Sequence, residues 1–340
     1  MRIEQFAAKL QSWFLLHRRP LPWRATRSPY VVWVSEIMLQ QTRVDVVIPH
    51  FQRWMKLFPT IQDLAKAPAE KVIKAWEGLG YYSRARYLHQ GAQHLLKEHG
   101  GELPADYDAL NRIKGLGAYT IGAILAFAFN QRIPAVDGNV LRVIARYHLI
   151  KEYIDNSATY KKIEKLTSAL LPKKEAWVVM EALIELGALV CTKRAQCPLC
   201  PIKEGCRAYR ESQVNLLPNK RQREKLLHLH RLVAVVDTGA ALLLMRGERG
   251  KVMADLWEFP YFDLDINVGA ALDLKLDLQY QLPLVRHTFT RFRATLYPKV
   301  FHAEQKEVRN PLRWVSYDKL NELPFSSGHR RIFNGLKSAT

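Results

Sequence analysis

Apolar residues recur at helical spacing through the N-terminal part of the chain and at strand spacing after it. Helical periodicity marks residues 6–16, 31–39, 121–129, 140–147 and 177–190. Glycine and proline punctuate these stretches, at Pro22, Pro59, Pro68, Gly78-Leu79-Gly80, Gly100-Gly101, Pro104 and Pro134. Past Cys206 the texture changes. A basic, hydrophilic stretch over 218–225 reads as a linker. Beyond it come short β-type runs at 232–236, 241–245 and 288–300, with a turn at Asp237-Thr238-Gly239. The pattern predicts a mainly α domain over 1–217, a basic linker over 218–230 and a smaller α+β domain over 231–340. Repeats and low-complexity tracts are absent.

Length and composition fit that division. The 340 residues are enough for two cores, and 48% hydrophobic with 24% charged residues describes an ordinary globular protein. No apolar run approaches the roughly 20 residues needed to span a bilayer. The net charge of +19 is the unusual quantity. Neutralising phosphate is the commonest physical use of such an excess. An acidic membrane surface is the competing use, but no strongly basic amphipathic anchor helix is present.

All four cysteines fall between positions 191 and 206: Cys191, Cys197, Cys200 and Cys206. Sulfur gathered in one place acts as ligand, and four thiolates suit a tetrahedral zinc or a cubane iron–sulfur cluster. Two local disulfides fit poorly, because no signal peptide precedes Met1-Arg2-Ile3 and cytosolic thiols stay reduced.

Three further constellations carry chemistry. In Ile113-Lys114-Gly115-Leu116-Gly117-Ala118-Tyr119-Thr120, Gly115 and Gly117 allow a tight turn that presents backbone N–H groups to an anion at the next helix start. Ala118, Gly122 and Ala126 then form a small-residue stripe that predicts the close approach of another helix. Asp137 stands at the N-cap of the helix over 140–147, where the macrodipole favours the anion and predicts an ionised carboxylate. Glu36 is a lone carboxylate in an apolar helix opened by Ser28-Pro29. Burial there would raise its pKa and make it a proton donor. One carboxylate held charged and another kept neutral is the pairing used to cleave glycosidic bonds.

The order Leu21-Pro22-Trp23-Arg24, Ser35-Glu36-Ile37-Met38-Leu39-Gln40-Gln41-Thr42, Gly78-Leu79-Gly80-Tyr81-Tyr82, the 115–120 hairpin, Asp137-Gly138-Asn139 and the cysteines resembles the MutY-type adenine DNA glycosylases of the endonuclease III superfamily. The resemblance covers essentially the whole chain. It implies a helix-hairpin-helix glycosylase fold followed by a Nudix-like domain, and removal of adenine mispaired with 8-oxoguanine or guanine in double-stranded DNA. It implies that Glu36 protonates adenine, Asp137 stabilises the oxocarbenium-like sugar, Asn139 steadies Asp137, and Tyr119 meets the sugar with its polar ring edge. Members that also cut the strand carry a lysine where Tyr119 stands, so the tyrosine implies base removal alone. Gln41 and Tyr81 match the family's wedge and intercalating residues, and Arg24 and Glu181 match positions near the adenine pocket.

By the same resemblance the cysteines hold one [4Fe–4S] cluster, with zinc as the alternative, and the loop's basic residues meet phosphate. The cluster spacing departs from the family: Cys191 and Cys197 enclose one residue fewer than usual. In the C-terminal domain, Leu256-Trp257-Glu258-Phe259-Pro260 and Arg313-Trp314-Val315 fit the Nudix-like module, while the hydrolase's metal-binding box is missing after Pro260. The loop that meets 8-oxoguanine, usually Phe-Ser-His, reads Phe289-Thr290-Arg291. A monomer acting on bacterial, nucleoid-associated DNA in the cytoplasm, with no membrane partner, completes the expectation. The rivals are an endonuclease III-like glycosylase-lyase acting on oxidised pyrimidines, and a non-catalytic DNA-binding protein that needs neither Glu36 nor Asp137.

Overall fold

The computed structural model describes residues 2–221, 225–248, 250 and 253–338. The chain divides into two compact units, one of Met1–Lys66 with Tyr87–Gln222, the other of Ala67–Arg86 with Arg223–Thr340.

The first unit is helical: α1 (Ile3–His17), α2 (Pro29–Leu39), α3 (Val44–Leu57) and α4 (Ile61–Lys66) precede the segment that joins the other unit, which carries α5 (Ala69–Ala75). Then follow α6 (Ser83–His99), α7 (Tyr107–Asn111), α8 (Ala118–Phe127), α9 (Gly138–His148), α10 (Ser157–Leu170), α11 (Ala176–Leu189) and the short α12 (Arg207–Arg210). The five periodic stretches of the sequence are α1, α2, α8, α9 and α11. Two of them carry apolar residues on every face and lie in the interior: α2 buries Tyr30 to Met38, and α8 buries Thr120 to Phe127. Their starts follow from local chemistry. Ser28 Oγ accepts from the Val31 N–H at 3.2 Å with Pro29 in the first turn. Helix α11 packs against α1, α8 and α9, and α2 packs on α8.

Within the small-residue stripe on α8, the close neighbour at Gly122 is not a helix but an extended segment. A Cβ on Gly122 would lie 2.4 Å from the Pro134 carbonyl oxygen. The extended segment leading to Asp137 runs against α8 there, so the glycine sets the approach of a catalytic candidate.

The second unit is built on an eight-stranded sheet: β1 (Leu227–Asp237), β2 (Ala241–Arg246), β3 (Trp257–Glu258), β4 (Tyr261–Phe262), β5 (Asp277–Gln281), β6 (Val285–Phe289), β7 (Phe292–His302) and β8 (Leu312–Ser316). The spine of the sheet runs β3-β2-β1-β7-β5, with β1 and β7 parallel from Leu227↔Phe292 to Asp237↔His302. Alternate residues of β1 serve opposite faces. Val233 and Val235 join a core with Ile332, Phe333 and Leu336 of α14 (Ser327–Lys337). Leu232, Ala234 and Val236 join another with Val268 and Leu272 of α13 (Val268–Leu272). The run over 288–300 is two strands, not one, because the chain reverses at Thr290 and Arg291 and pairs Phe289 with Phe292.

Candidate active site and cysteine loop

One helix middle and two helix starts deliver the site. Glu36 sits inside α2, where the apolar sequence carries its side chain into the core at 7% exposure. Tyr119 lies in the first turn of α8, just past the turn of Gly115 (φ +93°) and Gly117. Its hydroxyl donates to Glu36 Oε2 at 2.5 Å. Asp137 caps α9. Its Oδ1 accepts from the N–H groups of Asn139 (2.9 Å) and Val140 (2.8 Å), and its Oδ2 accepts from Asn139 Nδ2 at 2.7 Å. The close approach of α9 to α11 needs Gly187, since a Cβ there would lie 2.5 Å from Asn139 Cβ.

Electrostatics separate the two carboxyls. Burial pushes the Glu36 carboxyl up to about 7; the charges of Asp137 and Glu181 add to the rise, while the Tyr119 hydrogen bond and Arg24 oppose it. Burial and the nearby Glu36 hold the Tyr119 phenol well above its ordinary range, so it remains a donor. Asp137 departs from the simple capping expectation. Burial raises its carboxyl above the ordinary aspartate value, while the cap hydrogen bonds, Asn139 and Arg142 pull it back. Three donors aimed at its two oxygens are an environment suited to the ionised form.

Glu36, Tyr119, Asp137, Asn139, Arg24, Gln41 and Glu181 all line one cleft of about 600 Å³. Its far wall holds a charge network that the sequence pattern did not single out. Glu185, fully buried on α11, accepts from Arg19 Nε (2.8 Å), Arg19 Nη2 (3.0 Å), the Arg19 N–H (2.9 Å) and Arg24 Nη2 (2.9 Å). Burial alone would raise its carboxyl; these donors hold it down to about 2. The signal was present in the sequence: Glu181 and Glu185 stand four residues apart on one face of an otherwise apolar helix. Glu181 Oε2 is buried and accepts no hydrogen bond among the described residues, with Arg24 Nε 3.5 Å away.

Arg142 is a further unpredicted member. It donates to Asn139 Oδ1 (2.8 Å), to the Gly187 carbonyl (2.8 Å) and, through Nε, to the Cys191 carbonyl (2.7 Å). One side chain thus ties the Asp137 cap to the first cysteine. The four cysteines form no disulfide, are half-buried, and line one small cavity walled by Val143, Leu186, Val190 and Ile202. Arg146 Nη1 lies 3.3 Å from Cys191 Sγ. No group of His, Cys, Asp or Glu among the described residues is gathered tightly enough for a single metal ion.

The remaining expected DNA contacts belong to the second unit. Tyr81 is 45% exposed, whereas Tyr82 is buried. Phe289 packs against the sheet core, and Thr290 and Arg291 are exposed at the β6–β7 turn. Gln41, Tyr81 and Thr290, from three loops, all have left-handed backbones (φ +56°, +47° and +47°). No helix among the described residues is long and apolar enough to cross a membrane.

Residues 34–172 match the HhH-GPD superfamily of base excision DNA repair proteins, and residues 231–335 match the NUDIX domain. An adenine DNA glycosylase of Arabidopsis thaliana is 32% identical over 95% of this chain, which spans 63% of that relative's length. One from Buchnera aphidicola subsp. Schizaphis graminum is 31% identical over 78% of this chain and 77% of the relative. Among solved structures, a thermostable thymine-DNA glycosylase superposes with a TM-score of 0.57 at 27% identity, covering 62% of this chain and 97% of that one.

Proposed function

We propose, from the premise that this chain belongs to the adenine DNA glycosylase family, that it removes adenine mispaired with 8-oxoguanine or guanine in double-stranded DNA by hydrolysing the N-glycosidic bond. The observation that carries this reading is the carboxyl of Glu36, buried, raised to about 7, and sharing a cleft with the capped carboxylate of Asp137.

Adenine extruded from the stack enters the cleft, with Arg24 and Glu181 on its wall. Glu36, still partly protonated near pH 7, gives its proton to a ring nitrogen of the base. The glycosidic bond then breaks with its electron pair leaving on adenine. Asp137 stabilises the positive charge that develops on the sugar, and water completes the hydrolysis. Asn139 fixes the Asp137 oxygens, and Tyr119 holds Glu36 in orientation while facing the sugar. A phenol forms no Schiff base, so the reaction stops at an abasic site.

Gln41 and Tyr81 support the gap left by the flipped base, the hairpin of Gly115 and Gly117 grips phosphate, and Phe289, Thr290 and Arg291 meet the 8-oxoguanine. The four cysteines fit one [4Fe–4S] cluster: an all-sulfur donor set shares one largely apolar cavity, with Arg146 Nη1 beside Cys191 Sγ. The cluster would fix the 191–206 loop against the DNA backbone. In this reading a monomer works on nucleoid DNA in the cytoplasm.

The test is an end-labelled duplex with adenine opposite 8-oxoguanine, incubated with the protein and split with and without alkali, beside a duplex carrying an oxidised pyrimidine. Breakage at adenine only after alkali supports the proposal. Breakage without alkali at the pyrimidine refutes it.

A further inference from the structure

Within the second unit, Glu77 immediately precedes the Gly78-Leu79-Gly80-Tyr81 loop and is mostly buried. It accepts from Arg330 on α14 through Nε at 2.6 Å and Nη2 at 3.2 Å, from Lys74 Nζ at 2.7 Å, and from the Phe325 N–H at 3.3 Å. Arg330 is itself held, donating to the Leu323 carbonyl at 2.7 Å and lying 4.6 Å over the Phe325 ring. At the other end of the loop, the Tyr82 hydroxyl donates to the Phe325 carbonyl at 3.4 Å. Both flanks of the loop are therefore fastened to one short stretch of the C-terminal module, some 250 residues on in the chain.

The loop is also braced from within. Arg84 Nη2 donates to the carbonyls of Leu79 (2.9 Å) and Gly80 (3.1 Å), and Trp76 Nε1 donates to the Gly80 carbonyl at 3.0 Å. The Arg84 guanidinium lies 5.8 Å from the Tyr81 ring centre. The Tyr81 ring itself stays half-exposed, on a left-handed backbone.

We infer that Arg330 and Glu77 are positioning residues for Tyr81: the module that carries the 289–291 loop also sets the loop that wedges the duplex. A bidentate, charge-assisted pair fixes orientation as well as distance, which an intercalating ring requires. Base extrusion then depends on a salt bridge that includes neither Glu36 nor Asp137. This rests on the reading of Tyr81 as the wedge, and the experiment separates the two.

Extrusion is measured by 2-aminopurine fluorescence in a duplex bearing that base in place of the target adenine, for the full chain as wild type, Tyr81→Ala, Arg330→Gln and the double variant. Thermal melting is followed alongside. Arg330→Gln should reduce the extrusion equilibrium roughly tenfold, Tyr81→Ala by a similar factor, and the double variant no further than Tyr81→Ala alone. Arg330→Lys, which keeps the charge, should restore part of the loss. If Arg330→Gln fails to fold, Glu77→Gln carries the same expectation with the side-chain shape retained. Full effects that multiply in the double variant, or an Arg330→Gln protein that extrudes normally, overturn the inference. A Tyr81→Ala protein that extrudes normally instead overturns the wedge reading beneath it.

Discussion

Glu36→Gln should abolish base release and, at the same time, stabilise the protein in a pH-dependent way. A Glu36 carboxyl at about 7 in the folded chain and at its ordinary 4.5 when unfolded binds its proton more tightly folded than unfolded. Such a group favours the folded state fully below 4.5, and the advantage is lost as pH rises toward 7. Between pH 5 and pH 8 the loss amounts to about 2.5 kcal/mol. A glutamine is neutral throughout and still accepts from Tyr119, so it removes this loss without opening a cavity. The assay is urea unfolding of both proteins at the two pH values, with the difference taken at each, so that titrating groups common to both cancel. The stability gap in favour of Glu36→Gln should widen by about 2.5 kcal/mol from pH 5 to pH 8. The same shift predicts that single-turnover base release by the wild type falls as pH rises through about 7. A gap that does not change with pH would refute the raised pKa, and a rate that climbs through pH 7 would refute Glu36 as the acid.

Tyr119→Phe removes a hydrogen bond donated to Glu36 that lowers the pKa of that carboxyl; the descending limb of the pH–rate profile should therefore move to higher pH. Glu185→Ala strands Arg19 and Arg24 beside the cleft and should destabilise the protein by about 3–5 kcal/mol in urea unfolding. Gly187→Ala puts a methyl 2.5 Å from Asn139 Cβ, so stability should fall by roughly 1–3 kcal/mol and single-turnover rate should fall with it. Arg142→Ala unties Asn139 from the Cys191 carbonyl; single-turnover base release should drop roughly tenfold or more while duplex affinity, read by filter binding, changes far less.

Residues whose chemistry depends on near neighbours in sequence were legible; those that depend on distant partners were not. Asp137 capping its own helix and Glu36 inside an otherwise largely apolar helix follow from residues a few positions away. The network of Glu185 with Arg19 and Arg24 spans more than 160 positions, and nothing in the periodicity joins them. Arg142 reads as an exposed helix residue until Gly187 brings α11 against its helix. The small stripe on α8 was visible, but the neighbour at its Gly122 is an extended segment that has no periodicity of its own. The 288–300 run concealed a reversal because Thr290, a β-branched residue, is a poor turn former in sequence yet holds a left-handed backbone.

Nine non-glycine residues among those described hold that left-handed backbone, and three of them, Gln41, Tyr81 and Thr290, stand where the proposed function needs reach. An ordinary residue held there costs of the order of 1–2 kcal/mol relative to a relaxed backbone, and it persists only where the surroundings over-determine it. At Tyr81 the surroundings are the Arg84 and Trp76 donors to Leu79 and Gly80. At Gln41 they are the end of α2, closed by the Thr42 N–H on the Leu39 carbonyl. At Thr290 they are the paired strands β6 and β7. In each case the scaffold holds a side chain outward without leaving the loop free to choose. Loops ordered before binding lose less conformational entropy on meeting DNA, so more of the contact energy remains to offset the unstacking of a base. Under the proposed function, extruding one adenine from a stable duplex gains most from backbone strain spent in advance at residues that would meet the DNA.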